Sequence, residues 1–369
     1  MRKPIISVEN RVNRPKPLLL FIYPNASAFV RQDASIFSEF YQIREISFQP
    51  KLKAWVPFSL LLELVFILRS CFSVKVIICQ FAGYHTLIPV FIGRIFSKPC
   101  IIIVGGTDCT SMPSINYGNL RKPLLRWATL WSLKYSSHII SPASSLIECE
   151  YTFTRSDYPK QGYRYFDKSI TTPFTIIYNA VDINKFKILR DVQRKKNTFL
   201  TICTAIDKRT FRLKGIDLFI KMAETFPEYE FTIIGQSVNN FIFDRPANVR
   251  QLNNVNHEML PAIMAQHSFY CQLSMSEGFG LALAEAMACG CVPIVSKVGI
   301  MDFIVGESGF ILERRDSDLL KSIVISAVSS KIKDPELMAH GRIKDNFSLA
   351  RRRVELLTLL NKLTSKVRN

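Results

Sequence analysis

The sequence has no apolar run long enough to span a bilayer. Its best stretch, residues 58–68, is about half the roughly 20 residues a crossing helix needs, and it contains Glu63. The first sixteen residues carry basic side chains without a signal-peptide core. None of the nine cysteines forms a CxxC pair, which argues against a zinc or redox site. Most lie in apolar stretches (Cys79, Cys100, Cys203, Cys271), and thiols used in this way imply a reducing cytoplasm. Repeats and low-complexity segments are absent too. No helix-turn-helix, RNP-like or zinc motif is present, so the positive charge finds no nucleic-acid module to serve.

What the chain does have is length for two cores, at 369 residues, and 48% hydrophobic residues, enough to fold. Its net charge of +18 is uneven. Residues 1–200 carry 27 Lys and Arg against 12 Asp and Glu, whereas residues 201–350 carry 15 against 17. The surplus therefore lies in the N-terminal half and in the last nineteen residues. That asymmetry points to an anionic partner on one side of the molecule, and a membrane surface is the expected one. Lys51, Lys53, the apolar stretch 56–68 and the aromatic segment Tyr163–Phe166 form a candidate contact surface. A packed surface loop is the other reading of Tyr163–Phe166.

Apolar strand-like runs alternate with helical patterns through the first half. Strands are expected at Leu18–Tyr23, 74–79, 100–104, 138–140 and 175–178, and helices at 33–41, 85–96 and 120–135. Residues 182–198 turn polar and basic, as a linker would. The pattern then restarts with strands at 199–203, 230–234, 269–273, Val292–Ser296 and 309–312 and a helix from Gly215. Such alternation implies two parallel, doubly wound sheets with a ligand cleft at the carboxyl ends of their strands.

The most informative segment is 276–293, SEGFGLALAEAMACGCVP. Glu277 and Glu285 stand eight apart. Between them Gly278-Phe279-Gly280-Leu281 forms a turn that opens a small-residue helix. The glycines permit close backbone approach, and the helix aims its free amides at the turn, which suits phosphate. A carboxylate one turn into the helix, at Glu285, can accept two hydrogen bonds from a ribose diol.

This segment resembles the donor-site signature of retaining family 4 glycosyltransferases. The resemblance implies a GT-B fold: two Rossmann-like domains, at 1–185 and 196–348, with a final helix at 349–369 crossing back to the N-terminal domain. It implies a nucleotide diphosphate sugar as donor, with UDP or GDP as carrier. Family members neutralise the leaving diphosphate with an arginine and a lysine five residues later, before a helix-starting glycine. Arg209 and Lys214-Gly215 have that spacing, with Lys208 and Arg212 as rivals for the arginine. By the same resemblance Glu285 holds the ribose, Glu277 the sugar hydroxyls, and Gly278, Phe279, Gly280 and Leu281 the donor.

Tyr178-Asn179-Ala180-Val181-Asp182 resembles the turn that ends the N-terminal domain in this family and is expected to be architectural. The glycine-rich loop that many members place after the first strand is replaced here by Pro24-Asn25-Ala26-Ser27. Gly105-Gly106-Thr107-Asp108 follows a buried strand and is expected to face the cleft, with Asp108 near the reacting sugar or, equally, capping the next segment. His85 is expected either to point into the acceptor side or to be a helix-cap or surface histidine. Asp316-Ser317-Asp318 has a DxD form, but its place before a helix favours capping, and no metal is expected.

The expectation is a glycosyltransferase without a metal cofactor, peripheral on the inner face of the cell membrane. It would elongate a cell-surface glycan or a lipid-linked saccharide. Two other classes stand beside it: a glycoside hydrolase with Glu277 and Glu285 as its acid and base, and a basic nucleic-acid-binding protein.

Overall fold

Leu18–Tyr23 is buried on both faces and forms β1, the second strand of a six-stranded parallel sheet. In a computed structural model that describes residues 15–50, 52–253 and 255–365, β1 leads to α1 (Ala28–Ser38), β2 (Gln42–Ser47) and α2 (Val56–Ser70). Then come β3 (Val74–Gln80), α3 (Leu87–Ile95), β4 (Cys100–Ile103), α4 (Pro123–Tyr135) and β5 (His138–Ser141). A two-residue hairpin of β6 (Cys149–Glu150) and β7 (Lys160–Gln161) and a single turn, α5 (Tyr163–Phe166), precede β8 (Phe174–Ile176). The strand order is β2-β1-β3-β4-β5-β8. The Val- and Ile-rich strands of the interior are what a sheet covered on both faces requires.

The second unit repeats the plan. Its elements are β9 (Lys195–Ile206), α6 (Lys208–Leu213), α7 (Ile216–Thr225), β10 (Glu230–Ser237), β11 (Val249–Leu252), α8 (Leu260–Gln266) and β12 (His267–Gln272). They are followed by α9 (Leu281–Ala288), β13 (Val292–Ser296), α10 (Met301–Val305), β14 (Phe310–Leu312), α11 (Ser317–Val328) and α12 (Pro335–Asn346). The sheet order is β11-β10-β9-β12-β13-β14, again parallel.

The final helix, α13 (Leu349–Ser365), returns to the first unit as expected. Leu356, Leu357, Leu359 and Leu360 pack into one core with Leu19, Phe21, Val76 and Ile101 of the first sheet. Arg352 locks the crossing. It forms a two-pronged pair with Asp33 at 2.7 Å and also donates to the carbonyls of Ile177 and Tyr178, with both charged side chains buried. Val181, in the expected architectural turn, is bridged to Ser348 at the start of this crossing.

Several boundaries differ from the sequence reading. The first helix begins at Ala28, five residues before the expected start. Strands β2 and β11 and helices α2 and α6 were not anticipated as such. The basic stretch Arg194–Asn197 is not linker. Strand β9 starts at Lys195, and the Arg194 guanidinium donates to the carbonyls of His267 and, at 2.7 Å, Cys289, tying it to the sheet. Lys51 and the side chain of Lys53, both assigned to a membrane contact from sequence, lie outside the described residues, as do the first fourteen.

Candidate functional site

The carboxyl ends of β4 and β12 meet across the cleft at two glycines. A Cβ on Gly278 would come within 3.0 Å of the Gly106 amide nitrogen, and one on Gly106 within 3.1 Å of the Gly278 nitrogen. Only glycine at both positions lets the two backbones approach this closely. Two residues on, Gly280 takes φ +88° and caps α9, leaving the first-turn amides without intrahelical partners.

Glu277 is held immediately before this contact. Its Oε2 accepts from Lys214 Nζ at 2.8 Å, from Gln272 Nε2 at 3.1 Å and from Ser274 Oγ at 3.4 Å. Gln272 is in turn fixed by the Tyr270 hydroxyl, 2.9 Å away. Burial works against the charge of Lys214, but the Glu277 carboxylate outweighs it and holds the ammonium above the usual lysine range. Lys214 sits just ahead of Gly215, which caps α7 with φ +70°, so the expected lysine–glycine–helix junction is present. Arg209 is exposed on α6, whose cap Asp207 accepts from the amides of Arg209 and Thr210.

Glu285 lies one turn into α9, largely buried, with Oε1 3.4 Å from His257 Nε2. Lys185 reaches Nδ1 of the same histidine at 2.8 Å. Glu277 and Glu285 therefore have separate partners. On the opposite wall, the Tyr117 hydroxyl pairs with Thr107 Oγ1 at 2.9 Å beside Gly106. Tyr117, Gln272, Ser274 and His257 were missed in the sequence. Gln272 ends β12 and Ser274 follows two residues on, both turned toward Glu277, a period-two signal that was available. Tyr117 and His257 lie in loops and left no pattern to read.

Three expected site residues do not reach the cleft. Asp108 is buried, its two oxygens accepting from the amides of Ala82 and Gly105 at 2.7 Å each, so it joins the loops after β3 and β4. Burial pushes its carboxyl up to about 7 against those amides, which favour the anion. His85 is neither a surface group nor an acceptor-side one. Its Nε2 meets the Gln80 carbonyl at 3.1 Å, and burial pushes it down to about 4, so it is neutral at pH 7. Phe279 is packed among Tyr178, Phe303 and Phe347 at the domain junction and anchors the loop instead of lining it. Gly105 lies against the Phe81 ring, whereas Gly106 and Leu281 border the cleft contact. Asp316 caps α11 through the amides of Asp318 and Leu319, the capping role preferred for the DxD segment.

Residues 187–343, which include Lys214, Glu277 and Glu285, match the family Glycosyl transferases group 1. The whole fold is GT-B. Sucrose-phosphate synthase from Thermosynechococcus elongatus superposes with a TM-score of 0.75 over 95% of this chain and 100% of that one, at 12% identity. Among curated proteins, the chain is 26% identical over 189 residues to the phosphatidylinositol N-acetylglucosaminyltransferase gpi3 subunit of Schizosaccharomyces pombe, covering 47% of this chain and 40% of the relative. It is 43% identical over 54 residues to the GDP-mannose:cellobiosyl-diphosphopolyprenol alpha-mannosyltransferase of Xanthomonas oryzae, covering 15% and 14%. The chain thus spans less than half the length of these curated relatives.

Proposed function

We propose that the chain is a retaining glycosyltransferase of family 4. In this reading it moves a sugar from a UDP- or GDP-sugar to a cell-surface glycan or a lipid-linked saccharide. The observation that carries the reading is the meeting, at Gly106 and Gly278, of the Lys214–Glu277 pair with the open amides of α9. A diphosphate at that point would be neutralised by Lys214, by Arg209 and by the helix amides, with no metal required. Glu285 would bind the ribose, and Glu277, released from Lys214 by the incoming phosphate, would accept from the sugar hydroxyls. The acceptor would attack on the face the diphosphate leaves, and no protein nucleophile is assigned. The separate partners of Glu277 and Glu285 suit two binding roles better than the shared proton traffic of a hydrolase pair.

The names of the two curated relatives, a phosphatidylinositol N-acetylglucosaminyltransferase subunit and a cellobiosyl-diphosphopolyprenol mannosyltransferase, support a lipid-linked acceptor. With the basic N-terminal half, they support a cytoplasmic enzyme peripheral on the inner membrane face. A thermal-shift panel of nucleotide sugars tests the donor side. A true donor at a hundred times its Kd stabilises the fold by ~2.7 kcal/mol, read as a rise in Tm. Should no nucleotide or nucleotide sugar raise Tm, the reading fails.

A further inference from the structure

Helices α2, α3 and α4 lie side by side on one face of the first sheet, α2 against α3 and α3 against α4. Their outer surface is apolar where a water-facing layer would be polar. Phe58, Leu61, Leu62, Phe91, Ile95 and Trp127 are each half exposed or more, and Leu124 and Phe72 rise to 74% and 80%. Exposed apolar side chains grouped over three helices mark a contact surface. Charge identifies what covers it. Between residues 52 and 136 the only acidic side chains are Glu63 and Asp108, and both are buried. The same stretch carries nine lysines and arginines. This layer therefore presents bulky apolar groups and cations, with no exposed carboxylate. An anionic lipid leaflet complements both features, its acyl region taking the rings and leucines and its phosphates the cations. No described helix is long and apolar enough to cross a membrane, so α2, at 15 residues, would lie in the interface plane.

A cavity of about 500 Å³ runs along α4 at the edge of this layer. Trp127, Trp131 and Tyr135 wall it, and Arg121, Arg126 and Lys134 border it. Asp167 also lines it, but Oδ1 of that carboxylate is taken by the amide and hydroxyl of Ser169. Arg126, Lys134 and Arg121 donate to Phe166 O, Ser169 Oγ and Asn116 O, and of the three only Arg121 keeps a buried nitrogen, Nε, with no hydrogen-bond partner. Arg121 is four residues from Tyr117 in the loop that returns to Gly106. The Asn119 amide donates to Thr107 O at 2.8 Å, which holds the two ends of that loop together. The loop that leads into the cavity is thus tied to the strand end that carries Gly106.

We propose that the outer face of α2–α3–α4 inserts into an anionic leaflet, with the phosphate head group of a lipid seated in the α4 cavity. This deepens the membrane reading given above and rests on it. The test uses the full chain with phosphatidylcholine vesicles, with and without phosphatidylglycerol, whose acyl chains are brominated. Trp55 and Trp127, both well exposed, report directly. The expected result is quenching of tryptophan emission by the brominated chains in anionic vesicles, part of it surviving high salt because apolar insertion is unscreened. Leu61→Glu with Leu62→Glu should weaken vesicle binding at least about tenfold, and Arg121→Ala should reduce the preference for phosphatidylglycerol. Sedimentation with vesicles but no quenching would overturn insertion. So would a chain that ignores vesicles and loses a stable dimer on the leucine changes, which would assign the face to a second copy. Nucleotide affinity, measured calorimetrically on the same variants, stays unchanged if they fold. Its loss in the unaltered chain would instead sink the donor-site reading.

Discussion

Lys214 shows how one residue can be set for a charge that arrives later. The Glu277 carboxylate keeps it protonated and oriented at 2.8 Å, so in the proposed donor site the ammonium would already be in place for a diphosphate. Glu63 is the opposite case. Both of its oxygens are buried without a hydrogen-bond partner, and burial alone pushes its carboxyl up to about 9. For an acid whose folded value lies above the unfolded one, near 4.5, stability is fullest below pH 4.5. It falls as pH rises toward 9. Glu63→Gln removes this dependence. The variant's stability advantage over the natural protein should therefore grow by roughly 3 kcal/mol between pH 4.5 and pH 7. Urea unfolding at both pH values measures it, and an advantage independent of pH would mean that Glu63 ionises freely inside the fold.

Among the elements, α13 couples the two units, and the ion pairs that Arg352 and Arg353 make to the first unit should differ in worth. The Arg352–Asp33 pair is 2% and 0% exposed, so Arg352→Met strands a buried carboxylate and should cost about 3–5 kcal/mol. The Arg353–Glu39 pair is 43% and 38% exposed, and Arg353→Met should cost under about 1 kcal/mol. Denaturant unfolding of the two variants side by side decides the matter. Equal costs would mean that the buried pair does not hold the crossing. The return of this helix to the first unit was implied by the family resemblance, and its leucines carry it. Asp33 as the partner was not legible in the sequence, since 319 residues separate it from Arg352.

For the whole molecule, legibility followed how local each signal was. The doubly wound pattern, the Gly215 junction and the 276–293 turn are written within short windows, and the structure has each of them where the sequence put it. Strands β2 and β11 went unread because their sequences, Gln42–Ser47 and Val249–Leu252, are polar and sit at sheet edges, where burial leaves a weaker apolar signature. Phe279 was assigned to the donor site by resemblance, and Asp108 and His85 were read as cleft residues beside capping alternatives. Each instead turns inward. Asp108 reaches the Ala82 amide 26 residues back and Phe279 a ring on a distant segment, contacts no short window contains. His85 turns to the Gln80 carbonyl five residues away, where burial rather than sequence distance hid the outcome.

The central claim is that residues 276–293 bind a nucleotide diphosphate sugar with divided roles, and substituting the two glutamates tests it most directly. Calorimetry with UDP and GDP, alongside a transfer assay, reads both roles. Glu285→Ala should weaken the bare nucleotide by roughly 1.5–3 kcal/mol, the worth of hydrogen bonds to a charged group. Glu277→Ala should change nucleotide affinity by less than about threefold and cut transfer by ~100-fold or more, the scale of one preorganised electrostatic group. If Glu277→Ala weakens the bare nucleotide as much as Glu285→Ala does, the division of roles is wrong. If neither change touches binding or transfer, the donor site lies elsewhere.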